Sequence, residues 1–203
     1  MKLYDGGRAP NPRRVRIFLA EKGISLPLEP VDLGSLQHKS PGYARVNPLQ
    51  RLPALELDDG SVLTESVAIC RYFEELQPEP LLFGENALGK ARIEMWNRRI
   101  ELHLFQPVSH VFRHTHPAMK EMEQPQIPAW AEANKPRVTE FLGLLDRELK
   151  ERRFVAGDSY SVADITGLVA VDFMKPAKLA MPDGLTNVLR WHAEISARPS
   201  ARA

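Results

Sequence analysis

The chain is 203 residues long, 43% hydrophobic and 26% charged, with 27 Lys and Arg against 26 Asp and Glu for a formal charge of +1. That composition supports one large domain or two small ones with a sizeable core, and the balanced charge argues against nucleic acid or an acidic membrane surface as partner. A lone Cys70 excludes an intrachain disulfide and fits a reducing compartment. The opening MKLYDGGRAP has no apolar signal region, and no run approaches the roughly 20 apolar residues a membrane helix needs, so a soluble cytoplasmic chain is expected.

Lys2-Leu3-Tyr4 reads as a short strand. Asn11 followed by Pro12 reads as an N-cap with proline at the first helical position. Val15, Phe18, Leu19 and Lys22 then recur at helical spacing up to Gly23, a natural stop, so a helix is expected from Pro12 to Lys22. Leu26 to Leu33 reads as a second strand of edge character, followed by the irregular polar stretch GSLQHKSPGYARVNPLQR. Ala54 to Leu57 alternates as a strand, Asp58-Asp59-Gly60 is a turn, and Ser61-Val62-Leu63 is the return strand of a hairpin. Thr64 to Leu76 is expected as a helix with Val67, Cys70 and Phe73 on one face. A β-α-β unit, a hairpin and a helix make a small mixed sheet with helices packed on it. Pro78 and Pro80 break that pattern, and after Asn86 the strand signal nearly disappears. Residues 88–118, 125–152, 161–174 and 184–197 all read as helices. The expected architecture is an α/β domain over 1–77 followed by an all-helical domain over 88–203.

Three stretches of the first domain carry candidate chemistry. In GRAPNPRRV two prolines remove backbone donors beside a helix start, which concentrates donation on Asn11 and the residues after it. A helix start suits an anion, including a thiolate, although an N-cap alone also explains the residue. In QRLPAL, Pro53 stands at the mouth of a strand, where either a cis or a trans bond fits. A cis bond would turn Leu52 outward and free its backbone to pair with an extended peptide. In LTESV an acid and a hydroxyl open a helix. Ser66 there can hold a carboxylate and Glu65 an ammonium, or the two can act as caps.

Taken in order, PNPRRVRIFLAEKGI, VNPLQRLPALELDDGSVLTESVAICRYFEE and FVAGDSYSVADITGLVAVDF resemble a cytosolic glutathione transferase over nearly the whole chain. The resemblance implies a thioredoxin-like N-terminal domain that binds glutathione, an all-helical C-terminal domain, a homodimer, and an acceptor pocket between the domains. It implies that Leu52, before a cis-Pro53, pairs with the cysteinyl backbone of glutathione. It also implies that Glu65 and Ser66 hold the γ-glutamyl end, and that His38, Lys39 and Gln50 contribute to the rest of the tripeptide. Related enzymes place a hydroxyl or a thiol just before the Pro-Asn pair, where this chain has Ala9. Tyr4 lies near where tyrosine-type relatives keep their hydroxyl, in surroundings that do not match that class. Asn11 is then the nearest polar side chain to the thiol and the expected catalytic residue. It would stabilise a thiolate that attacks a small hydrophobic electrophile, with glutathione as co-substrate and no further cofactor. Tyr4, Arg8, Ala9, His103 and His110 are the expected acceptor-pocket residues. Two rivals share the scaffold: a glutathione-dependent peroxidase or disulfide reductase, and a non-catalytic binding module.

Other features read as structure. Ser161-Val162-Ala163-Asp164 has capping-box spacing with Tyr160 and Ile165 at staple positions, so Ser161→Ala or Asp164→Ala is expected to cost about 1 kcal/mol or more. Cys70 reads as core filler, and without a CxxC partner it excludes a dithiol mechanism on this chain alone. His103, His110 and His114 share a helical face with no acid placed to complete a metal site, so no metal is expected; that face reads as solvent, crevice or dimer surface. Arg13, Arg14 and Arg16 form a basic cluster, read either as an attractor of anionic glutathione or as a solvated helix face.

Overall fold

The computed structural model describes all 203 residues, which divide into two compact units: Met1–Leu82 with Arg202–Ala203, and Phe83–Ala201. The first unit is built on strands β1 (Lys2–Asp5), β2 (Leu28–Pro30), β3 (Ala54–Glu56) and β4 (Val62–Thr64), in the sheet order β2-β1-β3-β4. β1 runs parallel to β2, antiparallel to β3, and β3 antiparallel to β4. This is the mixed sheet that a β-α-β unit followed by a hairpin dictates. The second strand is much shorter than Leu26 to Leu33, because Pro27 and Pro30 limit ladder donors at an edge.

Three helices flank the sheet: α1 (Pro10–Glu21), α2 (Pro41–Val46) and α3 (Ser66–Leu76). Side chains alternate across a strand, so Leu3 and Asp5 face α1, where Asp5 pairs with Arg16, while Tyr4 faces α2 and meets the Tyr43 ring edge-on at 5.8 Å. α2 lies inside the stretch read as irregular; its cap is the Ser40 hydroxyl, which accepts from the Tyr43 N–H, with Pro41 at the first helical position. α3 buries Ser66, Ile69, Cys70, Phe73 and Glu74, so its inner face is turned from the expected Val67 stripe and carries a carboxylate. That carboxylate meets Lys22, the residue that caps the C-terminus of α1, at 2.5 Å. The Lys22 ammonium also donates to the carbonyls of Gln77, Pro78 and Pro80 at 2.9, 2.8 and 2.6 Å, which anchors the segment after α3.

The second unit is helical: α4 (Ala87–Ile100), a π-helical turn (Glu101–Phe105), α5 (Gln106–Thr115), α6 (Pro128–Lys150), α7 (Val162–Asp172) and α8 (Thr186–Ser196). The π turn interrupts the continuous helix expected over 88–118. Pro107 has no N–H to offer the His103 carbonyl and its ring crowds that group; the preceding turn widens, and the Gln106 N–H bonds Glu101 instead. α7 is buried almost throughout. Gly167 is required there, since a Cβ would sit 2.7 Å from the Trp191 ring. The capping box is realised: Asp164 Oδ2 accepts from the Ser161 N–H and hydroxyl at 3.0 Å each, and Oδ1 accepts from the Val155 N–H and Trp191 Nε1 at 2.9 Å. Tyr160 packs edge-on against Phe154 at 5.7 Å and under the Arg198 guanidinium at 4.1 Å. No helix is long and apolar enough to cross a membrane.

Candidate functional site

The site in the first unit begins at the loop from β1 into α1. Asp5 accepts from the Gly7 N–H at 2.9 Å and pairs with Arg16, which donates in turn to the Gly7 carbonyl at 2.9 Å. Gly7 has φ +60°, a left-handed conformation that glycine adopts freely. The loop hands over to α1 two residues earlier than the sequence suggested. Ala9 is the N-cap, with φ −64° and ψ 138°, and Pro10 opens the helix. Asn11 is therefore inside the first turn and does not cap it; a proline at the first helical position satisfies the same local preference two residues upstream. The consequence is specific. Pro10 and Pro12 have no N–H, and the Arg13 N–H bonds the Ala9 carbonyl at 3.2 Å. The first turn thus keeps one unpaired backbone donor, that of Asn11, with the Asn11 side-chain amide beside it.

The turn over 47–53 lies next to that loop. The Arg51 carbonyl accepts from both the Tyr43 hydroxyl and Asn47 Nδ2 at 2.8 Å, and the Leu49 N–H donates to Asn47 Oδ1 at 3.0 Å. These bonds fix the peptide entering Leu52. The Leu52–Pro53 bond is cis, and the Leu52 N–H and C=O make no hydrogen bond within the chain. A Cβ on Gly6 would lie 3.0 Å from the end of the Leu52 side chain and 3.1 Å from that of Leu33, so the loop and the turn meet closely at this glycine. Gln50, at φ 53°, reaches the Lys39 carbonyl through Nε2 at 3.4 Å, which brings Gln50 and the His38-Lys39 turn together. Lys39 is exposed. His38 is 2% exposed, its Nδ1 has no partner, and burial followed by the Lys39 and Arg51 charges holds its pKa below the usual imidazole range.

At the start of α3, Glu65 is the N-cap residue at φ 64°, exposed, with no side-chain cap bond. The N–H groups of Ser66, Val67 and Ala68 have no partner; the first to bond is Ile69, to the Glu65 carbonyl at 3.0 Å. Ser66 is buried, and its Oγ accepts from Arg14 NH1 at 3.2 Å. Arg14 is fully buried, so the basic cluster is not a uniform surface patch. Cys70 is buried one turn along, and burial pushes its thiol up to about 12, which leaves it inert.

Two expected acceptor residues are placed elsewhere. The Tyr4 hydroxyl donates to Glu56 Oε2 at 2.7 Å. Glu56 pairs in register with Lys2, so the hydroxyl leans back along β1, away from the loop that leaves the strand after Asp5. Burial, then the Glu56 bond, raises its pKa. In the second unit His110 and His114 pack against the start of α6. His110 stacks on His114 at 6.2 Å and meets Trp130 edge-on at 5.7 Å, and His114 Nδ1 accepts from the Ile127 N–H at 3.1 Å. His103, in the π turn, stacks on Phe141 at 6.0 Å and stays exposed. Arg8 is exposed on the loop before α1. Sequence reasoning missed the positioning roles of Asp5, Tyr43, Asn47 and Arg14. Arg14 had a signal: it stands four residues before Phe18 and eight before Lys22, on the buried stripe.

The family model described as "Glutathione S-transferase, N-terminal domain" matches residues 9–76, and "Glutathione S-transferase, C-terminal domain" matches 108–199. Glutathione S-transferase 2 of Saccharomyces cerevisiae is 37% identical over 100% of this chain and 88% of its own length. Among solved structures, Gtt2 from Saccharomyces cerevisiae superposes with a TM-score of 0.95 at 36% identity, covering 100% of this chain and 99% of that one. A glutathione S-transferase domain-containing protein of Marinobacter aquaeolei VT8 gives 0.95 at 37% identity, covering 98% and 99%. The chain belongs to the glutathione S-transferase family, with a thioredoxin-like first unit and a helical second one, and is an enzyme of that class.

Proposed function

We propose that the enzyme holds glutathione along the first unit and activates its thiol as a thiolate at the start of α1, with Asn11 as the stabilising side chain, for attack on a small hydrophobic electrophile. The observation that carries this reading is the single unpaired N–H of the first turn, Asn11's own, bordered by Ala9 and by the free backbone of Leu52 before cis-Pro53. An extended cysteinyl residue paired with Leu52 brings its sulfur to that donor. The unpaired N–H groups opening α3 suit the γ-glutamyl carboxylate, with Ser66 donating to it and Glu65 holding the ammonium. Gln50 and Lys39, brought together by the Gln50 Nε2 to Lys39 carbonyl contact, suit the glycyl carboxylate, with the buried His38 adjoining Lys39.

The energy required is modest. A free thiol has a pKa of about 8.5; bringing it to about 6.5 needs about 2.7 kcal/mol of selective thiolate stabilisation. One charge-assisted N–H bond, an amide side chain and a helix dipole can supply that. Asn11 acts from inside the first turn, where its side chain is not consumed as a cap. Arg8 and Ala9 border the thiol end. The enzyme works as a cytoplasmic homodimer in this reading, and Leu88 and Met95, 60% and 39% exposed and two turns apart on α4, give it an apolar stripe to bury. Steady-state conjugation kinetics test the assignment. Asn11→Ala lowers kcat with a much smaller change in KM for glutathione, and Tyr4→Phe leaves both near wild type. A silent Asn11→Ala beside an impaired Tyr4→Phe overturns it.

A further inference from the structure

We infer that Arg14 is a positioning residue that fixes the Ser66 hydroxyl as a donor to the γ-glutamyl carboxylate of glutathione. The inference rests on the glutathione reading given above. α1 and α3 lie side by side and run the same way: Arg14 meets Ser66 at one end of the seam and Lys22 meets Glu74 at the other. Arg14 and Phe18 on α1, with Lys22 at its C-terminal cap, thus follow the same four-residue helical interval as Ser66, Cys70 and Glu74 on α3. Glu74 stands eight residues from Ser66, about 12 Å along the helix axis, at the end of the seam where it meets Lys22.

A guanidinium has donors and no acceptor. Its NH1 occupies a lone pair of Ser66 Oγ at 3.2 Å, and the Ser66 proton therefore cannot turn toward it. Ser66 donates to nothing else in the chain. Its proton is left to point out of the seam, at the helix end where the Ser66, Val67 and Ala68 N–H groups are also unpaired. Donation from a charged group polarises the hydroxyl and strengthens the bond it makes in turn. Arg14 is 0% exposed, so its charge acts through protein and not through water. The expected consequence is selectivity for one group of the ligand, the α-carboxylate of the γ-glutamyl residue.

Calorimetric titration of the full chain with glutathione, and with the analogue 4-aminobutanoyl-cysteinylglycine that lacks only this carboxylate, tests the inference. Arg14→Met weakens glutathione about tenfold, the usual scale for a bond to a charged group, and leaves the analogue unchanged. In the S66A background the same substitution costs less than about twofold, and Arg14→Lys in the Ser66 protein restores part of the affinity. Equal weakening of both ligands, or an undiminished loss in the S66A background, overturns the positioning role. Should Arg14→Met fail to fold, Arg14→Lys carries the same cycle: its loss must be confined to glutathione and vanish with S66A, and any other pattern counts against the inference. Wild-type protein that does not bind glutathione overturns the underlying glutathione reading, whereas wild-type binding with an unaffected Arg14→Met overturns the role of Arg14 alone.

Discussion

Removal of the Asp164 carboxylate should strongly destabilise the second unit. Its two oxygens receive four donors: the Ser161 N–H and hydroxyl, the Val155 N–H and the Trp191 indole. All four bonds are buried, and they tie the start of α7 to the segment before it and to α8. Asp164→Ala leaves each donor without its partner. A buried unsatisfied donor costs about 1–3 kcal/mol. Against this stands the relief of a fully buried carboxyl, whose pKa is held up by burial and only partly lowered by its donors. A net loss of about 4 kcal/mol follows, more than the loss of a cap alone. Asp164→Asn keeps one acceptor oxygen and turns the other into a donor facing donors, for a loss of about 2–3 kcal/mol. At about 2–4 °C per kcal/mol for a chain of this size, Asp164→Ala unfolds about 8–16 °C below wild type. Thermal unfolding followed by near-ultraviolet circular dichroism, which senses Trp191, measures it. A drop of under about 3 °C would mean that the donors find other partners and that the network is not what nucleates α7.

Other perturbations probe the remaining seams. Lys22→Met strips the carbonyls of Gln77, Pro78 and Pro80 of a shared donor and leaves Glu74 buried without its ammonium; breaking a buried pair costs about 3–5 kcal/mol, and urea denaturation should show it. Gly167→Ala drives a methyl into Trp191 and costs about 1–3 kcal/mol, read by the same denaturation. His38 and His110 both titrate below the ordinary imidazole value, chiefly through burial. The unfolded chain therefore takes up protons first as pH falls, so stability is full above about pH 6.5 and declines as pH drops below it. His38→Gln should flatten that decline in a series of melting curves from pH 7.5 to 5; an unchanged slope removes His38 as a contributor.

The sheet was legible because β1, the hairpin and the two long helices of the first unit each carry an unambiguous local pattern. Leu55 between Ala54 and Glu56 and the Asp58-Asp59-Gly60 turn need no tertiary information, and the Pro-Asn-Pro stretch marks a helix start without fixing its cap. The capping box at Ser161 and Asp164 was equally local. What escaped depends on long-range contact. α2 is only six residues long and reads as a polar loop until Tyr43 is seen against Tyr4 and the Arg51 carbonyl. Ala9 and Asn11 stand two positions apart, and composition cannot separate them as caps when a proline follows each, at 10 and at 12. The π turn follows from Pro107, yet a proline equally permits a kink. The orientation of Tyr4 is set by Glu56, 52 residues away. The histidine face of α5 looks solvent-directed on a helical wheel, and only the packing of Trp130 of α6 against His110 shows where it lies.

The account stands most directly on the ionisation of bound sulfur. Absorbance of the glutathione thiolate in the binary complex, titrated against pH in wild type and Asn11→Ala, should give a midpoint near pH 6.5 in wild type, about two units below a free thiol, and a clear return upward in the variant with glutathione still bound. A bound thiol that ionises like the free one, or a midpoint indifferent to Asn11 and moved by Tyr4→Phe, would contradict it.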